Sequence, residues 1–144
     1  MGRTAGSVYS MDEHLRLIFQ EEFHLDDLTP RAVRHRIDTF EPLLGNATSS
    51  IRLAASEVST AFARERQPDS SMEMRLLGVD LLFRVEISNS LDEGYLLQSE
   101  RGKEQFLRRQ VLDDTTDRWG VIGNGSAVVW FEKSRTAVRV EEVP

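Results

Sequence analysis

The chain has 144 residues, a formal net charge of −6 and no cysteine. That length makes one typical domain, able to bury roughly 70% of its unfolded surface without staples. The missing thiols exclude disulfides, thiolate metal sites and cysteine nucleophiles. The acidic balance argues against nucleic acid, whose binders carry a basic excess.

No apolar run approaches the ~18 residues of a membrane helix, and no secretory stretch opens the chain. Gly6 stands where a myristoylation signal needs Ser or Thr. These features predict a soluble, cytoplasmic protein. Of the 18 basic residues only Lys103 and Lys133 are lysine. The excess of arginine fits the codon bias of a GC-rich bacterial or phage genome, and arginine suits bidentate pairing and protein interfaces better than lysine does.

Residues 1–9 are small and polar without periodicity and read as a disordered tail. One α+β domain is expected over 10–144, helical over 10–67 and sheet over 72–144. Ser10-Met11-Asp12-Glu13 has the spacing of a capping box. Leu15, Ile18, Phe19 and Phe23 then share one helical face, predicting a helix to about His24. Thr29-Pro30 opens a second helix, with Thr29 as cap and proline at its first position. Val33, Ile37, Phe40 and Leu44 continue it until Pro42 ends or kinks it near Glu41. A third helix starts at Thr48–Ser50 and carries the apolar stripe Ile51, Ala54, Ala55, Val58, Ala61 and Phe62. This stripe either packs on the chain's own sheet or forms a helix–helix seam between copies.

Val79 to Ser88 is the clearest strand signal. Val79, Leu81, Phe83, Val85 and Ile87 alternate with Asp80, Arg84, Glu86 and Ser88, with Leu82 the one apolar exception, giving one dry and one wet face. Such a strand belongs to an antiparallel sheet covered on one side. Met72, Met74 and Leu76 alternate before it, and Gly78 shifts the phase, which suggests a bulge or a turn. Further on, the pattern predicts a short strand at Tyr95–Gln98, a helix over Lys103–Leu112 and a short segment at Trp119–Ile122. A hairpin of Ala127–Glu132 and Thr136–Glu142 follows. The fold class is therefore α+β: two or three N-terminal helices on one face of a mostly antiparallel sheet of four or five strands, with one further helix near 103–112.

No catalytic pattern is complete. Glu21 and His24 form one Glu-x-x-His pair where a di-iron bundle needs two. His14, His24 and His35 match no zinc spacing. Asp113, Thr115 and Asp117 open like a calcium loop, but Arg118 and Asn124 stand where glycine and glutamate are required. Gly123-Asn124-Gly125 lacks the third glycine and the helix of a dinucleotide site. The Pro42–Ser50 connection is too long for a helix-turn-helix presenting Arg52, Arg64 and Arg66. No cofactor, catalytic residue or metal site is expected.

What remains is contact surface. Trp130 and Phe131 are strand neighbours and face opposite sides, and exposed tryptophan is enriched at interface hot spots. The candidate interface residues are Ile51, Ala54, Ala55, Val58, Phe62, Trp119 and Trp130. They support a non-catalytic protein-binding module of adaptor, chaperone-like or inhibitor type, expected to assemble with copies of itself. A structural subunit of a phage or secretion assembly, and a small enzyme or ligand-binding domain with scattered site residues, are the alternatives.

Overall fold

The computed structural model describes residues 14–66, 68–89, 108–123 and 127–137. The capping box at Ser10, the strand at Tyr95–Gln98 and most of the second arm of the hairpin lie outside them. The elements are β1 (Arg16–His24), α1 (Thr29–Asp38), the single turn α2 (Glu41–Leu44), α3 (Thr48–Arg64), β2 (Ser71–Val79), β3 (Leu82–Asn89), α4 (Arg109–Thr115), β4 (Arg118–Gly123) and β5 (Ala127–Ser134). The five strands form one antiparallel sheet in the order β1-β2-β3-β5-β4. This is the α+β arrangement of helices on a mostly antiparallel sheet that the sequence predicts.

The first element departs from expectation, because Arg16–His24 is an edge strand and not a helix. Its apolar residues fit both periods: Leu15, Ile18, Phe19 and Phe23 share a helical face, while Phe19 and Phe23 also fall on one side of a strand. A short apolar run cannot choose between the two by periodicity. The exposed edge of β2 decides it, pairing Phe23 with Met72 and Phe19 with Leu76. The helical half therefore begins only at Thr29.

Thr29 is the first helical residue rather than the cap. Its Oγ1 accepts from the Asp26 amide at 2.8 Å and donates to the His24 carbonyl at 2.7 Å, locking the turn from β1 into α1. The predicted second helix, α1, ends at Asp38, and Pro42 sits in the first turn of the separate α2, where proline is tolerated.

Strand β3 starts later than the alternation suggests. Val79 closes β2, and the turn is Asp80-Leu81, with Asp80 at φ 53°, a conformation aspartate tolerates. Leu81 is consequently exposed rather than inward, while Phe83, Val85 and Ile87 face the core as expected. Gly78 makes neither turn nor bulge, since β2 runs through it. A Cβ there would meet Ile18 at 2.9 Å and the Phe83 ring at 3.1 Å, so glycine supplies space. The bulge lies opposite, in β1, between Leu17 and Phe19.

Helix α3 is the hub. Ile51, Ala54, Ala55, Val58, Ala61 and Phe62 join Val33 and Ile37 of α1, Leu112 of α4 and the inward side chains Met72, Met74, Phe83, Val85, Ile87, Val129 and Phe131 in one core. Its alanines let neighbouring backbones come close. The fourth helix covers Arg109–Thr115, later than predicted, and takes in Asp113 and Asp114. Strand β5 lies between β3 and β4, so both of its edges are paired along residues 127–132. Arg135 and Thr136 are pinned to the α2–α3 connection: Arg135 donates to the Leu43 carbonyl at 2.6 Å and the Thr136 amide to Asn46 at 3.0 Å.

Candidate protein-binding face

Every described helix packs on the Met74/Phe83/Val129 side of the sheet, and among the described residues no helix covers the other side. The strand registers arrange this outer face in three rows running across the strands. One row is Leu17, Leu77, Arg84, Glu132 and Arg118. The middle row is Gln20, Arg75, Glu86, Trp130 and Gly120. The third is Glu22, Glu73, Ser88, Val128 and Ile122.

Ion pairs connect the first two rows. Arg84 reaches Glu86 at 3.0 Å and Glu132 at 3.1 Å, Arg118 reaches Glu132 at 2.8 Å, and Arg75 reaches Glu86 at 3.1 Å. Arg84 is buried with its partners, while in the two outer pairs the carboxylate lies beneath the cation. Glu132 is 3% exposed against 42% for Arg118, and Glu86 is 22% exposed against 39% for Arg75. An acidic chain thus shows guanidinium groups to solvent on this part of its surface.

Trp130 lies among them. Its ring carries the Arg84 guanidinium at 4.5 Å and that of Arg118 at 5.6 Å from its centroid, in cation–π geometry. The indole reaches sideways across Gly120, where a Cβ would stand 2.9 Å from its Nε1. Half-buried Trp130 and Val128 and exposed Ile122 make an apolar strip with Arg118 beside it. Trp and Arg are the residue types enriched at protein-contact hot spots, and here they stand together beside the aliphatic Val128 and Ile122.

The other candidate residues are placed elsewhere. Ile51, Ala54, Ala55, Val58 and Phe62 are buried in the chain's own core, with no surface to offer a second molecule. Trp119 is on the inner side of β4, half-buried; its Nε1–H donates to Asp113 at 2.8 Å, and Arg109 lies over its ring. Phe131 is fully buried, so the two β5 aromatics do face opposite ways. Glu21 pairs with Arg36 at 2.8 Å, and His14, His24 and His35 are exposed on separate elements. Asp113 and Asp117 are engaged apart, Asp117 accepting from the Ser134 amide at 2.8 Å. Among the described residues no group of three His, Asp or Glu side chains could hold a metal ion, and no helix is long and apolar enough to cross a membrane.

Two features were invisible in the sequence. Glu57 interrupts the polar side of α3 but is buried, and it accepts both the Arg108 backbone amide at 2.9 Å and the Arg108 Nε at 2.8 Å. The hydrogen bond first, and the charge of Glu57 second, push the exposed Arg108 guanidinium above its ordinary pKa. The second is an open groove of about 700 Å³ at the end of the sheet, lined by His14, Arg16, Ile18, Leu43, Gly78 and Phe83. Val79 and Asp80 complete the lining, so the groove sets one histidine, one arginine and one carboxylate around the apolar side chains of Ile18, Leu43 and Phe83.

No family model and no curated protein matches the sequence. Solved structures do share its fold. One contains the RsbU and RsbW domains of a Mycobacterium tuberculosis protein, with a TM-score of 0.57 and 12% identity over 81% of this chain. This chain spans 32% of that one, about a third of its length. Another is a chain of the SiaB-SiaC complex from Pseudomonas aeruginosa, with a TM-score of 0.51 and 5% identity over 92% of this chain and 98% of the other. At such identities the likeness is one of fold.

Proposed function

We propose that this chain is a non-catalytic protein-binding module of regulatory type, which docks a partner protein on the outer face of its sheet and assembles with copies of itself in solution. The observation that carries the reading is Trp130, a large indole held half-buried by two arginines on a face that no described helix covers. A tryptophan kept there contributes less to the core than it would on the other side of β5, and it is fixed for contact at low entropic cost. The fold is consistent with this role, since it also occurs in a chain solved as part of a two-protein complex.

A photo-crosslinking residue at Val128, beside Trp130, tests the reading in the native host. The expected result is one crosslinked protein, identified by mass spectrometry and lost when Trp130→Ala is added to a chain that retains its circular dichroism. Absence of a product, or a product indifferent to Trp130→Ala, overturns it. Light scattering tests self-assembly: a mass at the monomer value across the micromolar range removes that part.

A further inference from the structure

The sheet has two edges, and they are unlike. Strand β1 carries the usual defences against pairing: a bulge between Leu17 and Phe19, and the charged or polar side chains Arg16, Gln20, Glu21, Glu22 and His24. Strand β4 carries almost none. Over Arg118–Gly123 its one charge is Arg118, and the other five residues are Trp119, Gly120, Val121, Ile122 and Gly123. Its register with β5 is regular throughout, and among the described residues β5 is its only strand neighbour. An even, nearly uncharged edge beside an exposed apolar strip is a template for strand addition.

We infer that β4 takes up an extended segment of the partner protein as a sixth strand, and that this segment presents an acidic side chain opposite Arg118 and apolar side chains opposite Gly120 and Ile122. The inference rests on the protein-binding reading above and specifies its partner. The three outer-face positions of β4 set the chemistry, because a neighbouring strand places one side chain opposite each. Arg118, 42% exposed, gives its Nε and one Nη to Glu132, and a carboxylate opposite it gains a charge-assisted pair with the remaining N–H groups. Opposite Gly120 there is no side chain on β4, so a bulky residue reaches the edge of the Trp130 indole. Opposite Ile122, 47% exposed, an aliphatic residue is covered. A second copy of this chain is a poorer occupant. Pairing β4 with β4 about a two-fold axis brings no acidic side chain to Arg118, since the strand contains none.

The probe is a blocked synthetic peptide with the core Val-Thr-Leu-Thr-Glu, which for antiparallel addition sets Val against Ile122, Leu against Gly120 and Glu against Arg118. Isotope-labelled protein reports binding through the two indole N–H signals, and amide exchange reports the β4 backbone. The expected result is movement of the Trp130 signal with that of Trp119 nearly still, together with slowed exchange of β4 amides. Replacing Glu by Gln in the peptide weakens binding about tenfold. Ile122→Lys, an exposed change that blocks edges without touching the core, abolishes it, and Ile122→Thr retains it.

Several results overturn the inference. The β4 amides are already protected without peptide, or Trp130 stays still at millimolar peptide. Ile122→Lys binds as well as wild type, or the Gln peptide binds as tightly as the Glu peptide. A short oligothymidylate moves Trp130 instead, or the chain self-associates through β4 in a manner that Ile122→Lys abolishes. If the Val128 crosslink to a partner survives Ile122→Lys, the docking face stands and the strand addition falls. If that crosslink is absent altogether, the protein-binding reading itself falls.

Discussion

The two faces of the sheet use the same five strands to opposite ends. The inner face of β2, β3 and β5 is Met72, Met74, Leu76, Phe83, Val85, Ile87, Val129 and Phe131, all buried under α1, α3 and α4. The outer face of those strands is a lattice of Arg75, Arg84, Glu86 and Glu132 around Trp130. Apolar burial stabilises by about 25 cal/mol per Å² with no geometric demand beyond fit. A buried ion pair roughly cancels its own desolvation cost and is a weak source of stability. The outer lattice is therefore ordered at little net gain in folding, which is the property expected of a surface kept for recognition.

The comparison breaks first on the inner side. Val58→Asp puts an unpaired carboxylate where α3 meets the rest of the core. We expect it to cost more than about 4 kcal/mol, enough to abolish the cooperative urea transition. Phe83→Ala removes a ring that packs against Gly78 and the core, at about 3–5 kcal/mol from the same transition. Wild-type midpoints for both would mean that the helices and the sheet are held together by something other than this contact.

On the outer side the sign depends on how the lattice is cut. Glu132→Ala strips the carboxylate that binds both Arg84 and Arg118 and leaves Arg84 buried beside it. We expect about 2 kcal/mol of destabilisation, because buried Arg84 loses the carboxylate of Glu132 and keeps that of Glu86. Replacing both members, as Arg84→Met with Glu132→Leu, is expected to recover most of that loss while removing the nearer of the two cations over Trp130. If the double variant is as unstable as the single one, the lattice stabilises the fold after all and the contrast between the faces weakens. Glu57→Ala is a smaller cut of the same kind. It deprives the Arg108 amide of its acceptor, but the guanidinium is mostly in water, so we expect about 1–2 kcal/mol.

How much of this was legible follows from the range over which each signal acts. The alternation of Phe83, Val85 and Ile87 is local, and it identified the core side of that strand and the fold class, whereas the stripe of α3 left core and seam open and its residues were offered as interface. Arg16–His24 was misread because the choice between helix and strand lay in β2, some fifty residues away. The site was less legible still. Nothing local says that Arg84 will be buried, because its burial comes from Glu132 and Trp130, brought alongside by register. Trp130 was visible as a candidate, yet its setting depends on Gly120, a residue with no side chain to draw notice. Outward alternation of Val128, Trp130 and Glu132 against inward Ala127, Val129 and Phe131 was the one sequence signal that could have located the face.

Gly120→Ala is the finest test of the contrast between the faces. A methyl group there would stand 2.9 Å from the Trp130 Nε1 and 3.0 Å from two ring carbons, closer than van der Waals contact allows. The backbone is not the obstacle, since alanine is no worse than glycine in an extended strand and reduces the freedom of the unfolded chain. The ring is half-exposed and can swing outward, so the clash is relieved by moving the indole rather than the strand. We expect a change in stability of under about 1 kcal/mol, but a red-shifted Trp130 emission as the ring gains water and loses the arginines above it. Measured in a Trp119→Phe background, that emission separates the two outcomes. An unshifted spectrum with a lower melting temperature would mean that Trp130 is as firmly built in as Phe131 on the opposite side, and the outer face would then be part of the core's architecture rather than a surface held ready for a partner.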